Sequence, residues 1–210
     1  MRVLIACEES QRVCLEFRKL GHEAYSCDVQ ECSGGHPEYH IMGDALHEAY
    51  SEKWDMLIGF PPCTYLSRAG ARHMYPKGVL NKSRYEQALK AKEFFLALYN
   101  APIKHIAIEN PTPFKILQMP EYSQVIQPWM FGHPYSKRTL LWLKNLPNLT
   151  PTNLISEYSP FVQSSAHRGS YQPPTRDKKE RSKTFLGIAE AMGNQWHNPQ
   201  LMIQMELFSP

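Results

Sequence analysis

The sequence has no long apolar segment. None of its hydrophobic runs approaches the roughly 20 residues that a helix needs to cross a bilayer, which excludes a helical membrane span. It also has no internal repeat and no low-complexity segment, which excludes a repeat protein. Met1 and Arg2 lead directly into an apolar stretch without a signal-peptide layout, and the five cysteines are an odd number. We therefore expect a cytoplasmic protein with free thiols and no membrane partner.

Charge of either sign is scarce over most of the chain. Charged residues make up 20% of the 210 positions and hydrophobic residues 42%, which is typical of one well-packed globular domain. The net charge is only +3. Residues 176–183 alone hold five cations and two anions, so their surplus equals that of the whole chain. This basic segment indicates a surface for a polyanion, although a solvated loop has the same composition.

Apolar runs alternate with helical patterns, which is typical of an α/β fold. Asp28 ends the second predicted strand, about twenty residues after the turn that follows the first strand, as in a dinucleotide-type half-fold. Such an acid hydrogen-bonds ribose hydroxyls, or it simply caps a turn. The predicted strands lie at 3–6, 22–28, 41–46, 56–60, 106–110 and 140–143, and the helices at 13–21, 82–99 and 184–196. The last helix is expected to break at Gly193 and Asn194.

Two strand ends carry reactive side chains. Pro61 and Pro62 follow one apolar strand and take the chain stiffly away from the sheet, so Cys63 is the first reactive group beyond that edge. Glu109 stands at the tip of another strand, before Asn110 and a proline. A thiol and a carboxylic acid on neighbouring strand ends suit covalent attack on a base ring that must be protonated as it is attacked. The alternative for Cys63 alone is a small buried apolar residue.

With its Pro-Pro-Cys and Glu-Asn-Pro motifs in this order, the sequence resembles the DNA cytosine-5 methyltransferases, and in particular small members encoded by phages and prophages. The resemblance runs from Val3 to Trp196. It implies a Rossmann-like S-adenosylmethionine-dependent methyltransferase fold with a mostly parallel, doubly wound sheet. We expect a catalytic core at 1–143, a short basic insert at 144–183 in place of a target-recognition domain, and a returning helix plus tail at 184–210.

The implied cofactor is S-adenosylmethionine. The glycine-rich loop usual after the first strand is absent, and two acids stand there instead. They would repel a pyrophosphate but tolerate a cationic sulfonium. The resemblance implies that Asp44 receives the adenine amino group, a role compatible with capping a helix. The predicted cofactor-binding residues are Glu8, Ser10, Asp28, Asp44, Pro61, Gly193 and Asn194.

The implied partner is duplex DNA with one base flipped out of its stack. The segment after Cys63 corresponds to a mobile loop that closes over that base, or it is a plain surface loop. Lys137 and Arg138 stand where the family has a Pro-Gln-x-Arg-x-Arg element, with Tyr135 in place of the glutamine. We predict that they contact base oxygens or phosphates. The other predicted nucleic-acid contacts are Ser67, Arg68, Arg72, Arg176, Lys178, Lys179, Arg181 and Lys183.

The implied chemistry assigns four catalytic residues, Cys63, Glu109, Lys137 and Arg138. The thiolate adds to ring carbon 6 of cytosine while protonated Glu109 stabilises ring nitrogen 3, and carbon 5 then accepts the methyl group. This requires a carboxyl pKa raised by burial and a thiol pKa lowered by nearby cations and by the following helix.

Several alternatives stay open. The short insert predicts short or relaxed sequence specificity, or a separate recognition subunit. The same chemistry on RNA or a free nucleotide is a second possibility, and a non-catalytic decoy that occupies DNA or cofactor is a third. Methylation of an exocyclic amine is disfavoured because Phe60, before the prolines, cannot accept a hydrogen bond from the amine. Cys27, Cys32, His36 and His40 match no zinc-site spacing, so we predict no metal.

Overall fold

The computed structural model of the chain describes residues 1–51, 53–161, 175 and 177–198. The predicted contact Arg176 and the apolar tail at 201–208 lie outside the described residues. No helix in the described part is long and apolar enough to cross a membrane.

A seven-stranded sheet forms the centre of the fold, in the order β3-β2-β1-β4-β5-β8-β6. Strand β8 is antiparallel to both of its neighbours and the other strands run parallel to one another, so the predicted mostly parallel α/β sheet is confirmed. Two further strands, β7 and β9, form a small separate pair. The strands are β1 Arg2–Ala6, β2 Glu23–Asp28, β3 His40–Met42, β4 Met56–Gly59, β5 His105–Asn110, β6 Gln124–Ile126, β7 Tyr135–Ser136, β8 Thr139–Lys144 and β9 Ser159–Pro160.

Helices cover both faces of the sheet. Successive side chains of β1 point to opposite faces, so Ile5 packs in the core with α1 and α6, and Leu4 in the core with α2 and α4. Because each face buries its own apolar set, the architecture is doubly wound. The helices are α1 Arg12–Lys19, α2 Ala45–Ser51, α3 Ala71–Met74, α4 Lys82–Tyr99, α5 Lys178–Ser182 and α6 Leu186–Trp196.

Helix α6 is continuous, and the break predicted at Gly193 and Asn194 is wrong. Gly193 is buried against α1, where an added Cβ would lie 3.1 Å from the Cβ of Glu16. The glycine therefore permits close approach of two helices, and helical hydrogen bonding continues through it.

Candidate functional site

The two predicted motifs lie side by side at the carboxyl edge of the sheet. Strands β4 and β5 pair in parallel with Gly59 opposite Ile108, so the turn after β4 leaves the sheet beside Glu109. Asn110, which is 1% exposed, donates its side-chain N–H to the carbonyl oxygen of Pro61 at 3.0 Å. This bond joins residues 49 positions apart and fixes the Pro-Pro turn against the end of β5.

A tight turn presents Cys63 to solvent. Its carbonyl oxygen accepts hydrogen bonds from the backbone N–H groups of Leu66 and Ser67, at 3.2 and 2.9 Å. The N–H of Phe114 donates to the carbonyl of Leu66, so the segment after β5 supports the turn from outside. Cys63 is exposed, which removes the alternative of a buried apolar cysteine. Pro61 is buried beneath the turn, and its carbonyl is engaged by Asn110.

Cys63, Glu109 and Lys137 form one electrostatic cluster. Burial raises the pKa of Glu109 above its ordinary value, and Lys137 opposes this. Although Cys63 is exposed as a residue, desolvation of its thiol and then the Glu109 carboxylate raise its pKa, while Lys137 lowers it. The direction predicted for the Glu109 pKa is confirmed. The lowering predicted for the thiol is wrong in this state, because one lysine does not offset burial and a neighbouring carboxylate.

Lys137 and Arg138 diverge. The Lys137 ammonium donates to the carbonyl oxygen of Arg181 at 3.0 Å and lies 5.9 Å from the ring of Phe185, on the side of Cys63 and Glu109. Arg138 is exposed and donates to the hydroxyl of Tyr122 at 3.3 Å. The two side chains have separate partners, so of the pair the structure brings only Lys137 to the thiol and the carboxyl.

Glu8 is used internally to start α1. Its carboxylate accepts the backbone N–H groups of Val13 at 2.8 Å and Cys14 at 3.2 Å, and Ser10 donates its hydroxyl to it at 3.4 Å. Glu8 is 4% exposed, and burial raises its pKa to about 7. Glu8 therefore caps the helix from below the surface with Ser10 bonded to it, and the structure does not leave the Glu8 carboxylate open to a ligand.

The loop after β1 contains residues in the left-handed backbone conformation that glycine usually adopts. Cys7 and Gln11 both have a φ of 59°, in the left-handed region. A second loop crosses closely, since an added Cβ at Gly34 would lie 2.6 Å from the Cβ of Gln11. The side-chain amide of Gln11 also donates to the carbonyl of His36 at 2.7 Å. These contacts hold the strained Gln11 in place.

Asp28 and Asp44 come together at neighbouring strand ends. Both carboxylates contribute to raising the pKa values of Cys7 and Cys27, after burial, so they share one region of the carboxyl edge. Asp28 also accepts the N–H of Gln30 at 2.9 Å, and the exposed Asp44 caps α2 through the N–H of Leu46 at 2.9 Å. Asp28 therefore does cap a turn and Asp44 does cap a helix. Neither role prevents the carboxylate from binding a ligand.

Two exposed apolar residues that sequence reasoning overlooked accompany these acids. Val29, directly after Asp28, is 76% exposed, and Met42, at the end of β3, is 67% exposed. Apolar side chains beside carboxylates at a strand edge can pack on the flat face of a nucleoside base. For Val29, its position directly after a predicted strand was the available signal.

Gly193 and Asn194 are not brought to this edge. Helix α6 begins beside the start of α1, where Arg12 donates to the carbonyl of Thr184, and then runs along α1 to its far end. His197, just past α6, lies 6.2 Å from the ring of His22, which precedes β2. This is the amino edge of the sheet, so we omit both residues from the proposed cofactor site.

The basic segment folds back across the site. Lys179 pairs with the buried Glu9 at 3.3 Å, and Lys183 pairs with Glu180 at 3.1 Å. Glu180 also accepts from Arg12 at 2.8 Å, and the Arg181 carbonyl accepts from Lys137. These pairs neutralise part of the charge predicted to meet DNA. Lys178 begins α5 in the same segment.

The loop after Cys63 is structured. Buried Met74 anchors α3. The exposed Arg68 precedes this helix, and the exposed Arg72 lies within it. Ser67 is 6% exposed, and its hydroxyl accepts the N–H of Ala69 at 3.2 Å. The structure therefore uses Ser67 as a cap beneath the surface, whereas it leaves both arginines open to a nucleic acid.

Across the described ranges, no three His, Cys, Asp or Glu side chains are grouped so that they could hold a metal ion. His40, one of the residues tested for zinc, has its ring nitrogens 2.8 Å from the Ser26 hydroxyl and 2.9 Å from the Gln30 carbonyl.

Comparison with known proteins adds a likeness to solved structures and no match at the level of sequence. No family model and no curated protein matches the sequence. A solved structure described as a candidate DNA modification methyltransferase encoded within an E. coli prophage matches with a TM-score of 0.45 and 12% sequence identity. The match covers 74% of this chain and 52% of that one, so this chain spans about half the length of that protein.

Proposed function

We propose that this protein transfers a methyl group from S-adenosylmethionine to carbon 5 of cytosine in DNA, through a covalent adduct of Cys63. The observation that carries the proposal is the cluster of an exposed thiol, a carboxyl with a raised pKa and a lysine on adjacent strand ends. Few reactions need all three groups, and attack on an electron-poor pyrimidine ring is one that does.

Each group of the cluster has a distinct task. The Cys63 sulfur forms a bond to ring carbon 6 while Glu109 gives its proton to ring nitrogen 3, which leaves an enamine with a nucleophilic carbon 5. After carbon 5 accepts the methyl group, ring nitrogen 3 returns its proton to Glu109 and water takes up the proton of carbon 5, so that the carbon–sulfur bond breaks and the thiolate is released. Lys137 stabilises the thiolate before attack, since its charge lowers the pKa of Cys63.

The protonation state of Glu109 couples acid and nucleophile. An ionised Glu109 raises the pKa of Cys63, so proton uptake by Glu109 removes that repulsion. Burial favours the protonated form, which is the form required to donate to ring nitrogen 3. Protonation of Glu109 therefore prepares both the general acid and the Cys63 nucleophile.

The carboxyl edge fits the proposed cofactor in part. S-adenosylmethionine would supply an electrophilic methyl group at this edge. Asp28 and Asp44 offer carboxylate oxygens for ribose hydroxyls and an adenine amino group, and Val29 and Met42 offer apolar surface for the ring. Glu8 and Ser10 do not take part directly, because they bond to each other and to the start of α1.

The proposed nucleic-acid surface is the loop after Cys63, with the basic segment contributing less. Arg68 and Arg72 are exposed, whereas Lys179 and Lys183 already have carboxylate partners. The described part of the chain offers few open cationic groups for base contacts, so we propose short or relaxed sequence specificity.

Transfer of tritium from labelled S-adenosylmethionine tests the proposal, with duplex DNA, transfer RNA and cytidine nucleotides as competing acceptors. We expect label in DNA cytosine and none with Cys63→Ser. Cys32→Ser is the matched control, because Cys32 is half-buried outside the cluster, and it should retain transfer.

Other outcomes would replace the proposal. Activity retained by Cys63→Ser would remove Cys63 as the nucleophile. Cofactor binding without transfer to any acceptor would favour the decoy, and preferred labelling of RNA or nucleotide would change the substrate.

A further inference from the structure

A cavity lies beside the Cys63 turn, between the loop that follows it and the start of α4. It is open to solvent and has a volume of about 380 Å³, within the range of roughly 300–1,000 Å³ found for small-ligand sites. Its lining residues are Tyr65, Arg72, His73, Pro76, Asn81, Ser83, Arg84 and Gln87.

The lining is cationic and rich in donors. Two arginines and a histidine face no lining acid, and four more residues carry amide or hydroxyl groups. Residues 67–84, which supply most of the wall, include five Lys or Arg and no Asp or Glu. Such a concentration of one charge around a concave site attracts an anion.

Arg84 connects the cavity to the nucleophile. It donates to the carbonyl oxygen of Thr64, the residue after Cys63, at 2.8 Å, and it lies over the ring of Tyr65 at 4.9 Å. Its Nε is shielded from solvent and has no hydrogen-bond partner within the described part of the chain. A shielded guanidinium donor without an acceptor is a costly arrangement that an anion would relieve.

We propose that this cavity binds a backbone phosphate of a polynucleotide whose target base lies at Cys63. The inference rests on the proposed function and adds to it, since α4 and Tyr65 belong to none of the motifs that suggest the chemistry. Arg84 and Arg72 bind the phosphate oxygens, and the Arg84–Thr64 bond carries the position of that phosphate to the Cys63 turn. Lys77 and Lys82 are exposed cations that extend the basic surface beyond the cavity. They could contact further phosphates of the same nucleic-acid strand, which favours a polynucleotide over a single nucleotide as the ligand.

Binding of a fluorescent DNA duplex at increasing KCl concentration tests the inference. Arg72→Gln and Arg84→Gln should each weaken binding roughly tenfold at ~0.1 M salt and reduce the slope of log K against log salt by about 0.9, the value for one phosphate contact. Lys90→Gln is the matched control, because Lys90 is an exposed cation on the same helix outside the cavity. Unchanged S-adenosylmethionine binding would show that the variants are folded.

The outcomes separate this inference from the proposed function. Weaker binding and smaller slopes in both arginine variants support the phosphate site, even if no methyl transfer is found. Unchanged slopes in a protein that does transfer methyl groups would overturn the phosphate site alone. An equal loss of DNA affinity in Lys90→Gln would also overturn the phosphate site, because the loss would then follow from net charge and not from a specific contact.

Arg84→Lys gives a second readout. Lysine keeps the charge but not the forked donor geometry, so it cannot hold Thr64 and a phosphate together. We expect DNA binding close to that of the unmodified protein with a several-fold lower kcat. An unchanged kcat would contradict the link from Arg84 to the Cys63 turn.

Discussion

Replacing Glu8 by glutamine tests how the chain begins α1 without a glycine-rich loop. The buried carboxylate accepts two backbone N–H groups, and burial nevertheless raises its pKa from 4.5 to about 7. The folded state therefore keeps a proton that the unfolded chain releases between these pH values. Its contribution to the free energy of unfolding is complete below pH 4.5 and is lost as pH rises through about 7.

The size of this effect follows from the pKa. A rise from 4.5 to about 7 corresponds to about 3 kcal/mol, since each pH unit is worth about 1.4 kcal/mol. Glutamine does not titrate, and its one oxygen leaves a helix N–H without a good acceptor, at a cost of about 1–3 kcal/mol. Glu8→Gln should thus be less stable than the unmodified protein near pH 5, and the difference should vanish or reverse by about pH 8.

Urea unfolding at several pH values between about 5 and 8 measures the difference, provided that the m-values agree. Glu86→Gln, an exposed substitution on α4, is the control and should follow the unmodified protein at every pH. A stability difference between Glu8→Gln and the unmodified protein that stays constant over this range would refute the reasoning.

Two further substitutions test the packing and the site. Gly187→Ala should lower the free energy of unfolding by about 2–4 kcal/mol in urea titrations, because its Cβ would overlap the backbone carbonyl of Phe131. Gly43→Ala, which meets nothing within 4 Å, should change it by less than about 0.5 kcal/mol, and equal losses would contradict this packing. Lys137→Met should move the rise of the transfer rate to higher pH, because the cation lowers the pKa of Cys63. Arg138→Met, on the adjacent residue, should leave the profile in place, and an identical shift would disprove the assignment.

Sequence patterns predicted most of the regular structure. The helix predicted at 82–99 has the observed bounds of α4, and six strands of the central sheet lie on segments predicted as strands. These elements bury one face or both, so their periodicity records the packing directly. Strand β6 was missed because it has three residues within a proline-rich stretch, and an apolar run does not encode that β8 lies antiparallel.

The reactive groups of the site could be predicted from the sequence, but the interactions that position them could not. Motifs named Cys63 and Glu109, whereas the bond from Asn110 to Pro61 joins distant positions that no local pattern relates. Gly193 shows the opposite error, since a local rule ends a helix at glycine and only the neighbouring helix explains its presence. The sequence predicts that the basic segment is open to DNA. It does not show that Lys179 pairs with Glu9, because the two residues lie far apart in sequence.

Trapping with duplex DNA that contains 5-fluorocytosine tests the covalent chemistry most directly, because fluorine prevents the proton loss that releases the thiol. After incubation with S-adenosylmethionine and digestion, mass spectrometry should find one methylated nucleotide bonded to the peptide that carries Cys63. Transfer to ordinary DNA with no adduct on the fluorinated duplex, or an adduct on a different cysteine, would contradict the account.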